Sequence, residues 1–219
     1  MFTGPNIITD GLIFAIDAAN PKSYPGTGTN WYDISGGGAV LDLQNGPTYS
    51  SNYNGIITFD GTDDTAIETE LNISGLTGIT VNVWFYSNAN NSMALTKGNN
   101  NSFLLHFRGA GFYVVDSNST TSGYLNWDYQ PPYDEWLMLT GTWNGTTMKL
   151  YQNGVKQPTE KSFTGNGVLK TITTIQAGYY FNISQGYTDG SIANEYLYNR
   201  ALTDEEIEQT YNALKSKFI

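Results

Sequence analysis

Asn-Gly pairs punctuate this chain at Asn45-Gly46, Asn54-Gly55, Asn144-Gly145, Asn153-Gly154 and Asn166-Gly167. Both residues tolerate the positive φ that a type I′ turn requires, so the dipeptide is the strongest short-range signal for a β-hairpin. Between these turns the hydrophobic period is two. Ile79, Val81, Val83 and Phe85 fall on one face of a strand, and Thr80, Asn82, Trp84 and Tyr86 on the other. Similar runs occur at Phe103 to Phe107, Phe112 to Val115, Trp136 to Thr142, Met148 to Gln152 and Ile192 to Tyr198, and Leu12 to Asp17 reads as a first strand. The pattern predicts an all-β chain folded as an antiparallel two-sheet sandwich.

One segment departs from that period. Thr203-Asp204-Glu205-Glu206 forms a capping box with acids in the first turn, and Ile207, Tyr211 and Leu214 follow at helical spacing. A single short helix near Thr203 to Lys215 is therefore predicted. Ala19 to Gly28 holds two prolines and two glycines without a sustained period, which reads as an ordered surface loop. At 219 residues, with 14% aromatics to fill a core, the chain is expected to form one domain over 1–219.

Charge narrows the partners. The net charge of −10 opposes the counterion release that drives binding to nucleic acid, and it disfavours anionic membrane surfaces. No apolar run approaches the ~18 residues of a spanning helix, so membrane insertion is not expected. Cysteine is absent, so no disulfide framework exists. Met1 is followed by Phe2-Thr3-Gly4-Pro5-Asn6, without the basic stretch and apolar run of a cleavable signal peptide.

Several segments carry a family likeness through their order and spacing. They are Ile57-Thr58-Phe59-Asp60-Gly61-Thr62-Asp63-Asp64, Ile79 to Trp84, Leu95-Thr96-Lys97-Gly98, Trp136 to Gly145, Lys149 to Gly154 and Gly190 to Ile207. Over roughly residues 55 to 210 this set resembles the laminin-G-like and pentraxin-related domains of the concanavalin A-like lectin and glucanase class. The opening, Gly11 to Asn20 through Trp31-Tyr32-Asp33-Ile34-Ser35-Gly36, looks like such domains in bacterial and tailed-phage surface proteins. The resemblance implies a jelly-roll sandwich with one C-terminal helix, working on a virion surface or outside the cell. It also implies a partner that is a glycan, a surface protein or another virion subunit.

The chemistry-bearing residues point to recognition. Glucanases that resemble this fold carry two glutamates with an aspartate between them on alternate residues of one strand, and no strand here has them. His106 lacks the neighbours of a triad or a zinc site. The leading expectation is a non-enzymatic glycan- or protein-binding domain; the alternative is a decoration or cement subunit of a phage capsid or appendage, with glycosidase a distant third.

Sugar recognition needs exposed rings beside planar polar groups. Asn126, Trp127, Asp128, Tyr129 and Tyr133 supply that mixture around Pro131-Pro132, which denies the segment ladder donors; these rings are expected on an exposed loop rather than in the core. Tyr180, Asn182 and Tyr187 form a second set. No cofactor is expected to be required. In the resembled relatives a rim calcium sits where this chain has Asn99-Asn100-Asn101 and Asn182 to Gln185, loops here without carboxylates, so any calcium there would bind weakly. A second site is conceivable at Asp60, Asp63 and Asp64, with Asp17 or Asn194 brought alongside, although Asp-Gly and Thr-Asp-Asp also suit ordinary turn chemistry.

Overall fold

A computed structural model describes residues 5–88, 94–98, 102–107, 111–118, 121–179 and 186–219. Its strands are β1 (Leu12–Asp17), β2 (Asn30–Tyr32), β3 (Val40–Gln44), β4 (Thr48–Ser50), β5 (Ile56–Asp60), β6 (Thr65–Glu68), β7 (Ile79–Ser87), β8 (Ala94–Gly98) and β9 (Phe103–His106). They continue as β10 (Phe112–Val115), β11 (Ser122–Leu125), β12 (Trp136–Trp143), β13 (Thr147–Gln152), β14 (Val155–Lys156), β15 (Lys161–Ser162), β16 (Ile175–Ala177) and β17 (Asp189–Tyr198), and the helix α1 (Asp204–Leu214) follows. One sheet runs β14-β13-β12-β7-β17-β5-β4, with β1 also on β17 and β15 on β13; the other runs β11-β10-β9-β8-β16-β6-β3-β2. The strand pairings are antiparallel, as the turn-dense sequence predicted. Among the described residues no helix is long and apolar enough to cross a membrane.

The period-two face of Ile79, Val81, Val83 and Phe85 enters the core between the sheets, against Phe103, Leu105 and Phe112. The opposite face of β7 is buried too. Trp84, Tyr196 and Tyr198 pack with Ile207 and Leu214 of α1, and the Trp84 ring stacks on Tyr211 at 5.7 Å and on Phe218 at 4.4 Å. Such alternation suits a half-buried strand, but the C-terminal helix covers what would be its wet side. Thr80 and Asn82, the polar members of that face, make hydrogen bonds to neighbouring strand and loop, although Asn82 Oδ1 has no partner. Asn82 Nδ2 donates to Thr140 Oγ1 at 2.6 Å, and Thr80 Oγ1 donates to the Arg200 carbonyl while accepting from the Leu202 amide.

The Asn-Gly turns divide by task. Asn144-Gly145 joins β12 to β13, and Asn153-Gly154 joins β13 to β14 with φ of 53° and 80°, the left-handed pair of a type I′ turn. Asn54-Gly55 ends a wider turn between β4 and β5. Asn45-Gly46 instead carries the chain from β3 in one sheet to β4 in the other, and Asn166-Gly167 lies in the connection after β15. Positive φ is what these sites share, and it serves a corner as well as a hairpin.

The predicted capping box is present. Thr203 Oγ1 accepts from the Glu206 amide at 3.2 Å, and Glu206 Oε2 accepts from the Thr203 amide at 2.9 Å. Glu206 also makes a two-pronged pair with the Arg200 guanidinium, both bonds 2.7 Å, and this pair holds its carboxyl below the usual range. Thr203→Ala removes one cap bond and is expected to cost about 1 kcal/mol. For a chain of this size that lowers Tm by roughly 2–4 °C, measured by calorimetry.

Candidate functional site

The proline-bounded segment is only partly the exposed loop the sequence suggested. Trp127 is 4% exposed, sits in the inter-sheet core, and donates from Nε1 to the His106 carbonyl at 3.0 Å. The expectation that its ring is a contact surface is overturned. The alternation of β11 continues past its last ladder bond, so Leu125 and Trp127 turn inward while Tyr124, Asn126 and Asp128 turn out. Tyr133 is half-buried and packs its ring on Phe107 at 5.5 Å, which removes it too from the free surface.

Tyr129 stands apart, 67% exposed. Its amide donates to Gln157 Oε1 at 2.9 Å, and the neighbouring Asp128 accepts from the Thr159 amide at 2.7 Å and from Thr159 Oγ1 at 2.6 Å. Those Thr159 bonds hold the Asp128 carboxyl below its ordinary range. They fasten the segment to the strand edge beyond β14. Tyr129 thereby borders a groove of about 370 Å³ whose other walls include Gln152, Asn153, Val155, Lys156 and Gln157. Of the second aromatic set, Tyr187 is half-buried and stacks on Tyr179 at 4.4 Å. Tyr180 and Asn182 lie outside the described residues.

Asp60, Asp63 and Asp64 do converge. One carboxylate oxygen from each lies within 4.8 Å of the others, a spacing that one hard cation could bridge. Asp64 is 3% exposed and accepts from the Asp60 amide at 3.0 Å; burial chiefly, with the Asp60 and Asp63 charges behind it, raises its carboxyl above the ordinary range. Asp17 and Asn194 do not join this cluster. In the register Asp60 lies opposite Asp189, whereas Asn194 is further along β17 by five residues, on the order of 15 Å of strand. Asp17 and Asn194 are instead cross-strand partners of each other, beside a groove of about 630 Å³ between β1 and the end of α1.

Residues 59–208 match a laminin G family model described as the concanavalin A-like lectin/glucanases superfamily. The chain belongs to that superfamily. No curated protein matches this chain. Among solved structures it is similar to the binding domain of botulinum neurotoxin DC in complex with rat synaptotagmin II (TM-score 0.72, 17% identity, 94% of this chain and 52% of that one). It is also similar to the binding domain of Paraclostridial Mosquitocidal Protein 1 (0.70, 18%, 94% and 52%). A third is the botulinum neurotoxin serotype D ligand binding domain in complex with N-acetylneuraminic acid (0.70, 19%, 93% and 51%). At these identities the likeness is one of fold, and the chain spans about half the length of those proteins.

The most perturbed carboxyl among the described residues is sealed away from solvent. Glu195 on β17 is fully buried, accepts from Thr96 Oγ1 of the facing sheet at 2.5 Å, and leaves Oε2 without a partner. Burial pushes its pKa up to about 8, with the Thr96 bond pulling the other way, so the group is largely neutral at physiological pH. The sequence reading passed over it, although a lone acid inside the apolar run Ile192 to Tyr198 was the available signal. An unfolded chain loses this proton near the ordinary 4.5, whereas the folded chain keeps it to about 8. Its contribution is therefore full below about 4.5 and declines by about 1.4 kcal/mol per pH unit up to about 8. Glu195→Gln keeps the acceptor for Thr96 and cannot ionise; it is expected to flatten that slope and to exceed the parent in stability at the alkaline end. Urea midpoints taken across the range check this, and parallel curves for parent and variant would refute it.

Proposed function

We propose that the domain is a non-enzymatic recognition module that binds glycan through the groove beside Tyr129, acting outside the cell or on a virion surface. The observation that carries this reading is an exposed aromatic face set in a groove whose polar walls are amides and one lysine rather than paired carboxylates. A pyranose stacks its apolar face on such a ring while its hydroxyls bond to planar amides. Membership of a lectin-containing superfamily supports the reading, as does the fold shared with toxin domains seen with a protein receptor or a sialic acid. Gln157 holds the Tyr129 amide and Thr159 the neighbouring Asp128 carboxylate, so little backbone ordering accompanies binding.

Tyr129→Ala leaves the core untouched and is expected to weaken binding on a glycan array by at least about tenfold, with Tm unchanged. Trp127→Ala serves as the contrast, since emptying a buried indole costs about 3–5 kcal/mol of stability. If Tyr129→Ala binds every glycan as the parent does, the site is misplaced. If the parent ignores glycans but sediments with particles, the decoration-subunit reading replaces this one.

We further propose that calcium is not required for folding, and that Asp60, Asp63 and Asp64 chiefly serve their turn. Asp60 Oδ1 accepts from the Thr62 amide and Asp64 Oδ2 from the Asp60 amide, which employs the carboxylates without a metal. EDTA is expected to move Tm by less than about 2 °C. A fall of about 10 °C or more, restored by calcium, would contradict the proposal.

A further inference from the structure

The groove of about 630 Å³ at the opposite side of α1 from the Tyr129 site is built differently. In the β1–β17 ladder Ala15 lies opposite Tyr196 and Asp17 opposite Asn194, so Ala15, Asp17 and Tyr196 share the outer face of the sheet. The methyl of Ala15 leaves open the space that a larger residue would fill, and Leu12, Ile34 and Leu214 wall it with apolar surface. Tyr196 is 2% exposed, and its hydroxyl makes no hydrogen bond to a described residue. Burial first, and the Asp17 carboxylate second, raise its ionisation well above the ordinary range, so the oxygen keeps its proton. Asp17 Oδ1 accepts from the Ala19 amide at 2.9 Å, while Oδ2 stands 3.6 Å from Lys217 Nζ, beyond hydrogen-bond reach.

We propose that this groove is a second binding site, independent of the Tyr129 site, for a compact amphiphile carrying a hydroxyl on an apolar body. The floor presents one O–H donor without an acceptor and one carboxylate oxygen that is ion-paired with Lys217 but accepts no hydrogen bond. A hydroxyl answers both, because it accepts from Tyr196 and donates to Asp17. An ammonium has no lone pair for Tyr196 and competes with Lys217; a carboxylate meets the charge of Asp17. The Tyr196 ring is buried and its hydroxyl has no acceptor among the described residues, so a ligand hydroxyl that accepts from it supplies the directional contact at the groove floor.

Cyclohexanol is the probe, titrated into the ¹⁵N-labelled chain. Saturable shifts are expected at the amides of Ala15, Ile34 and Leu214, and they persist in Tyr129→Ala, which separates this site from the glycan groove. Tyr196→Phe is expected to weaken the probe about tenfold, the equivalent of one hydrogen bond, while melting no lower than the parent. Ile34→Asp, at a position 38% exposed, is expected to abolish binding without unfolding the chain. Absence of saturable shifts, unchanged affinity in Tyr196→Phe, or equal affinity for cyclohexylammonium would each overturn the proposal.

Discussion

The pairing of β17 with the strands on either side of it is the constraint on which the rest of the molecule depends. β7 runs along the whole of one edge, whereas the other edge is shared: β5 takes Asp189 to Ile192 and β1 takes Asn194 to Tyr198. The switch falls at Ala193, where the register against β7 shifts and the carbonyl accepts from the Ala18 amide. A bulge at that point lets two strands from distant parts of the sequence abut along one neighbour. Nearly the whole chain separates β1 from β17, so this sheet closes only after the last strand is made, and the topology is one of high contact order.

Placing β7 and β17 mid-sheet, with a second sheet on one side and α1 on the other, buries both of their faces. Strands so placed read as continuous apolar runs, and these do, apart from a few polar residues. Thr80 is partnered by backbone and the Asn82 amide nitrogen by β12, but Asn82 Oδ1, both amide atoms of Asn194 and one oxygen of Glu195 are left unpaired. Such groups cost stability unless the proton count adjusts, and for Glu195 it does. Function is therefore best sought where the double cover ends: at the β13–β14 edge and at the margin where β1 meets α1.

The sequence carried the sandwich, the bounds of β1, the capping box and the helix with little loss, because each rests on a local signal: alternation, a turn dipeptide, a cap three residues from its glutamate. What it hid was whatever depends on the partner across a ladder. Trp127 was assigned to a loop because Pro131-Pro132 follows it, yet the alternation begun at Ser122 already pointed its ring inward; the prolines act four residues too late to change that. Asp17 and Asn194 were grouped with Asp60, Asp63 and Asp64 by chemistry alone. The register pairs the first two with each other and leaves the three aspartates as a cluster within one turn. Tyr129 was legible as an exposed ring, but nothing in its neighbourhood in the sequence announced Gln157 and Thr159 as its supports.

Those supports decide what the β13–β14 edge can do. The Asn153 amide donates to the Met138 carbonyl at 2.8 Å, and Asn153 Oδ1 accepts from the Met138 amide at 2.9 Å, so the hairpin is clamped to β12 at its turn. On the far side, a Cβ on Gly154 would lie 3.1 Å from Tyr211 Cβ, close enough that the left-handed glycine is needed for contact with α1 as well as for the turn. A hairpin fixed by the sheet on one flank and wedged by the helix on the other cannot yield to a ligand. Val155, 71% exposed at its tip, and Tyr129 beside it present apolar surface from an anchored backbone. Rigid exposed surface of this kind loses little entropy on association, which is the economy a binding face needs and a mobile loop lacks.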